Sequence, residues 1–294
     1  MIHAHVSLDH WRDSGEHLEL DGRSIFIHDS GGDLPPLLLL HGFPTSSWDW
    51  APLWADLTSR WRVIAADHLG FGFSDKPRHL AYTFDLQADL HERLLATLGV
   101  TSCVVFAHDY GDTVAQELLA RQVDGVLTFE MTSLCMLNGG LFFEAIRPRP
   151  IQKLLLGRLG PLASSLMNER IFTRSFSRVF APDLVPSARD LHDHWRSITH
   201  ADGHRIAHRT GAYLNERRER RTRWVRAMQT TDTPMRFICG LLDPVSGRSI
   251  AERYAELVPN PDLALLAHVG HYPQLEDPEV VLSLFEEFAS SRST

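Results

Sequence analysis

Residues 107–112 read AHDYGD, directly after the apolar run CVVF and directly before TVAQELLAR. The pattern is that of a strand that stops at a sharp turn and restarts as a helix. A bare carboxylate, Asp109, occupies the turn, flanked by the small residues Ala107 and Gly111. Small flanks are what a strained elbow needs, because strand and helix backbones pass close together there. The turn lifts Asp109 above the sheet, beside the first free N–H groups of the next helix, which favour negative charge. Aspartate also suits a plain helix cap, so the remainder of the chain has to decide between the two readings.

Other apolar runs lie at 24–28, 36–42, 62–67, 103–108, 126–137, 235–240 and 263–268. Several are apolar almost without alternation, as parallel strands covered on both faces are. Helical patterns at 47–58, 84–98, 111–122 and 279–289 separate them. This alternation predicts a doubly wound, mostly parallel α/β sheet. From Gly139 to about Asp232 the strand pattern stops and short helical stretches broken by Pro and Gly take over. We read residues 1–138 and 231–294 as one core and 139–230 as an inserted helical cap over the C-terminal edge of the sheet.

The order of possible partners favours a nucleophile over a cap. Asp243 follows MRFICG at a strand end, and His271 stands in VGHYPQLEDP on a loop before the last helix. Nucleophile, acid and histidine thus come in the chain order that a triad on such an elbow requires. HGFPTSSWDW at 41–50 also follows a strand, so the backbone N–H groups of Phe43 and Tyr110 could form an oxyanion hole.

Composition narrows the partners. The 294 residues carry a net charge of −8 with 44% hydrophobic residues, which argues against a nucleic-acid partner. The N-terminal stretch is charged throughout and lacks an apolar core of roughly 7–15 residues, so no signal peptide is expected. No run approaches the about 18 apolar residues of a membrane span. Cys103, Cys135 and Cys239 lie in apolar runs with neither zinc nor disulfide spacing, as reduced core residues of a cytoplasmic protein would. HDHW (192–195) and HADGH (200–204) lack a carboxylate framework, so we expect no metal, and nothing calls for a cofactor. Monomer and homodimer both remain open.

LLLLHGFPTSS, AADHLGFGFSDKP, AHDYGD, GLLDPVSG and GHYPQLEDP together resemble the α/β-hydrolases of the epoxide hydrolase and haloalkane dehalogenase group. A narrower likeness within that fold, in LNGGLF and RPRPIQKLL, extends into the insertion. The resemblance implies Asp109 as nucleophile, His271 as general base and Asp243 as its orienting acid. A carboxylate attacking an acyl carbon gives a poor anhydride, whereas attack at saturated carbon gives a stable alkyl ester that water can cleave. Asp109 therefore points to epoxides or alkyl halides, with His271 activating water in the second step.

Dehalogenases of the group hold halide with a Trp after the nucleophile and often an Asn in HG-x-P. Here those positions are Tyr110 and Phe43, and HGFP is the epoxide hydrolase pattern. Epoxide hydrolases protonate the opening alkoxide with two cap tyrosines. The insertion has one, Tyr213, with Arg217 at the usual donor position one helical turn on. The favoured reading is a cofactor-independent epoxide hydrolase acting on a small apolar substrate, with Tyr213 as proton donor. Dehalogenation is the enzymatic rival, and a non-catalytic ligand-binding or signalling protein is the reading from another class. Trp48, His108, Asn138 and Arg217 are taken as pocket residues, Asp112 as a residue favouring the helix dipole, and the Arg-rich stretch 217–226 as a solvated helix face.

Overall fold

A computed structural model describes residues 6–290; the first five residues of the stretch read as free of a leader lie outside it. The strands are β1 (Glu16–Leu20), β2 (Arg23–Asp29), β3 (Pro36–Leu40), β4 (Arg62–Ala66), β5 (Ser102–His108), β6 (Glu130–Leu137), β7 (Met235–Gly240) and β8 (Asp262–Leu266). They form a single sheet in the order β1-β2-β4-β3-β5-β6-β7-β8. β1 and β2 run antiparallel to their neighbours, and all pairs from β4 to β8 are parallel.

Strand β3 shows why its run is continuously apolar. Leu37 and Leu39 pack with Leu53, Leu57 and Phe285 on one face, while Leu38 and Leu40 pack with Leu94 and Leu118 on the other. Successive side chains point to opposite faces, and helices cover both. β1 was not apparent from the sequence, because EHLEL alternates at the sheet edge. Its hairpin turn is made by Asp21 and Gly22, both at positive φ, as a tight two-residue hairpin requires. The helices Leu8–Ser14 and Arg248–Leu257 were also not predicted.

Between β6 and β7 the described residues form helices and no strand, the longest being Ala188–Thr199 and Tyr213–Thr230. The Arg-rich face of Tyr213–Thr230 is not simply solvated. Arg223 Nε donates to Glu117 Oε2 at 3.1 Å and Trp224 Nε1 to the same oxygen at 2.7 Å. Arg220 pairs with Asp85, and Arg221 Nε donates to Glu144 at 2.6 Å. These acids lie far away in sequence, so the local charge pattern could not reveal them. They fasten this helix to Tyr110–Val123 and to the start of Phe84–Thr97.

Beneath the site, His91 Nε2 and His68 Nδ1 lie 2.9 Å apart with both rings fully buried. Burial holds His91 down at about 3. An unfolded histidine takes up its proton near pH 6.5. This contribution to stability is therefore complete above about pH 6.5 and is lost as pH falls toward the folded value. The stability difference between wild type and His91→Gln should narrow by about 1.4 kcal/mol per pH unit between about pH 6 and pH 4. Urea unfolding at a series of pH values measures it, and a pH-independent difference would show that His91 is charged in the fold.

Candidate active site

The elbow between β5 and the helix Tyr110–Val123 puts Asp109 at φ +46°, outside the relaxed regions for an L-residue. Tight packing surrounds it: a Cβ on Gly111 would lie 2.3 Å from the Leu40 carbonyl oxygen. The Asp109 side chain makes no capping bond to its helix. Its Oδ2 instead accepts the Phe43 backbone N–H at 3.1 Å. Asp109 therefore does not serve as a plain helix cap.

His271 Nε2 lies 3.9 Å from the same Asp109 oxygen, and its Nδ1 lies 2.8 Å from Asp243 Oδ2. All three side chains are buried. Asp243 also accepts from Val245 N at 2.7 Å, Ser246 Oγ at 2.7 Å and Asn138 Nδ2 at 2.9 Å. Burial alone would raise its pKa; the His271 charge and these bonds hold it below its ordinary value. Burial likewise works to lower His271, but the charges of Asp243 and Asp109 outweigh it and set it at about 9. Such an arrangement can orient an imidazole and keep its second nitrogen facing the first carboxylate.

The other predicted residues fall into two groups. Tyr110 opens its helix, so its amide belongs to the unpaired first turn, while its ring is buried between Phe84 and Phe71. Arg217 is buried beside the elbow: Nη2 donates to the Asp109 carbonyl at 3.0 Å and stands 3.6 Å from its carboxylate, and Nε donates to Thr113 at 2.9 Å. Neither Arg217 nor Asn138, His108 or Trp48 borders the cavity above Asp109. Asn138 lies below Asp243 and receives the Gly240 N–H at 2.7 Å. His108 Nε2 holds the His271 carbonyl at 2.7 Å, and burial keeps that ring neutral with a pKa of about 3. Trp48 turns away, donating to Val6 O at 3.0 Å and packing on His194. Asp112 is wholly buried, and burial together with the Asp109 charge raises its pKa well above the usual carboxylate range. Its burial thus works against the charged form that a role in favouring the helix dipole would need.

Above Asp109 is a cavity of about 100 Å³, several times what a single water needs, and it continues into an adjoining surface groove. Asp109, His271 and Tyr272 border it from the core, with Phe43 and Pro44 beside them. The insertion contributes mainly apolar walls, among them Ile151, Leu155, Met167, Phe172 and Phe176. Tyr213 is not among the bordering residues. Its ring packs on Phe43 at 5.5 Å, and its oxygen accepts from Gln152 Nε2 at 3.2 Å, with Gln152 itself on the cavity wall. The phenol that does border the cavity is Tyr272, whose hydroxyl donates to Phe43 O at 3.2 Å. Sequence reasoning passed over it although it adjoins His271. It also passed over Ser246, three residues after Asp243, and Glu276, which accepts the backbone N–H groups of Gly270, Tyr272 and Ala181 and so fixes the His271 loop.

The profile of the alpha/beta hydrolase fold family matches residues 35–278. The chain belongs to that family. This α/β-hydrolase is 44% identical over 298 residues to the mesoderm-specific transcript homolog protein of Bos taurus, a match covering 97% of this chain and 88% of the relative. Among solved structures it is similar to the epoxide hydrolase CorEH, with a TM-score of 0.77 and 21% identity over 94% of this chain and 98% of the other. The haloalkane dehalogenase DbeA from Bradyrhizobium elkani superposes with a TM-score of 0.78, also at 21% identity, over 95% and 98%. At these identities the two superpositions speak for the fold alone. Among the described residues of this α/β-hydrolase, no helix is long and apolar enough to cross a membrane.

Proposed function

We propose that this α/β-hydrolase opens epoxides to diols through an alkyl ester on Asp109. One observation carries the reading: the nucleophile position holds a carboxylate that receives the Phe43 amide and faces His271 Nε2, itself held by Asp243. In the first step an Asp109 oxygen attacks an epoxide carbon, the C–O bond breaks, and a phenol protonates the alkoxide. In the second step His271 takes a proton from water, which attacks the Asp109 carboxyl carbon. The Phe43 and Tyr110 amides stabilise the tetrahedral oxyanion. Its collapse breaks the ester C–O bond, and the leaving alkoxide takes the proton of the carboxyl group. The His271 proton returns to the phenolate, and the diol leaves with Asp109, His271 and the phenol restored.

Dehalogenation fits the cavity less well. Neither a Trp nor an Asn borders it, and the Tyr110 side chain is buried away from it, so a halide would lack the usual pair of N–H donors. A panel of epoxides and haloalkanes, scored separately for diol and for halide, tests the reading; halide release without any diol would overturn it.

The proton donor has two candidates, and we assign the role to Tyr272. It borders the cavity, and burial raises its pKa well above the ordinary value, so it stays protonated at neutral pH. An alkoxide is basic enough to take that proton. Tyr272→Phe should slow alkylation by about 10²–10⁴-fold, the range for a positioned acid. Tyr213→Phe, one layer behind Gln152, should slow it by less than about tenfold, roughly the loss of one hydrogen bond. Single-turnover alkylation rates compare them, and the reverse order would return the role to Tyr213.

A further inference from the structure

We infer that the cavity mouth carries an anion subsite centred on Arg149, and that the substrates are amphipathic carboxylates. The apolar body, with its reactive carbon, would lie in the cavity and the carboxylate at the arginine. The choice of reactive group rests on the epoxide hydrolase reading above; the subsite rests on the following observations.

Arg149, Ile151, Ile171 and Ser175 border both the cavity above Asp109 and an adjoining surface groove, so they mark the junction between the two. Arg174 and Arg178 also line that groove. Arg149 is partly buried, and its Nη1 donates to the Arg178 carbonyl at 3.1 Å. Among the described residues, no ion pair joins Arg149, Arg174 or Arg178 to a carboxylate. Elsewhere in the chain Arg121, Arg196, Arg223, Arg236 and Arg253 each have acidic partners.

Charge is also segregated at this place. Residues 145–182 contain seven arginines and lysines and one acid, Glu169, in a chain whose net charge is −8. Burial and the neighbouring Arg178 disfavour the Arg149 charge and together outweigh the favourable Asp243 charge. A bound anion would relieve both, and a carboxylate fits the planar guanidinium fork in two-point contact. The cavity walls beyond the junction are mainly apolar, so they suit a ligand charged at one end only.

Calorimetry with decanoate and decanol tests the subsite without any turnover. Decanoate should bind the wild-type protein roughly 10- to 100-fold more tightly than decanol, the range for a charge-assisted hydrogen-bonded pair. Arg149→Met should erase most of that preference and Arg149→Lys should restore part of it. The double variant Arg174→Gln, Arg178→Gln changes exposed positions only and should reduce the preference by a smaller factor, with a weaker dependence on salt. Equal binding of the two ligands, or an unchanged preference in Arg149→Met, overturns the subsite. Turnover of a terminal-epoxy decanoate and its methyl ester separates the two proposals. A decanoate preference with no epoxide opened supports the subsite and removes the epoxide reading. Epoxide opening with equal kcat/KM for acid and ester overturns the subsite and leaves the activity standing.

Discussion

Asp109→Ala is expected to abolish turnover, on the order of 10⁴–10⁶-fold, as removal of a nucleophile does elsewhere. The fold should survive, because the side chain makes no capping bond and Arg217 keeps its bonds to the residue 109 carbonyl and to Thr113. A stability change within about 2 kcal/mol is anticipated for such a replacement. Initial rates with any epoxide the wild type accepts, together with a urea unfolding curve, make the measurement. Substantial turnover by a folded Asp109→Ala protein would remove Asp109 from the chemistry and with it the two-step scheme.

His271→Gln should instead divide the reaction. Asp109 can still be alkylated, but water is no longer activated, so the ester should persist about 10²–10⁴-fold longer or more. Asp243 would not be stranded, since Val245, Ser246 and Asn138 continue to donate to it. Intact-mass spectra after mixing with an epoxide should show the protein plus one substrate, with the added mass on the Asp109 peptide. A folded variant that binds epoxide yet never gains mass would refute the ester.

Under the proposed scheme, the same geometry would set the order of the steps. With Asp109 ionised, His271 is held at about 9 and carries a proton at neutral pH. Once Asp109 is esterified, one of the charges that raised it is gone, and its pKa falls. In that scheme His271 would thus become free to act as base when an ester is waiting. Because a histidine must be neutral to accept a proton, ester hydrolysis should slow as pH falls through that lowered value, while alkylation should not.

The parallel strands were legible because burial on both faces removes alternation, as in Leu37–Leu40. β1 was not, since an edge strand with one solvated face offers only EHLEL, and its clearest signal was the Asp-Gly turn. That Asp109, Asp243 and His271 come together was legible because each lies on the segment that follows a strand, and sheet topology brings those segments to one edge; how Glu276 holds the His271 loop in place was not. The cavity walls were not, since they depend on which face each insertion helix turns inward. Arg217 and Tyr213 share a helical face as expected, yet Arg217 fills the space behind Asp109 and Gln152 stands between Tyr213 and the cavity. Tyr272 lies on the His271 loop itself, but the expectation of donors from the insertion drew attention away from it.

The clamp that ties Tyr213–Thr230 to the core has a consequence for how such a chain diversifies. Arg217, which donates to the Asp109 carbonyl, and Tyr213 belong to the anchored part of the insertion. The residues of the insertion that line the cavity from Arg149 to Phe176 belong to short helices that share none of the Glu117 and Asp85 ion pairs. Under the proposed scheme, recognition and chemistry would therefore fall largely on different portions of one insertion. A lineage, or an engineer grafting residues 153–172 from a relative, can vary those cavity walls without replacing Val179, whose carbonyl accepts the His271 N–H at 2.9 Å.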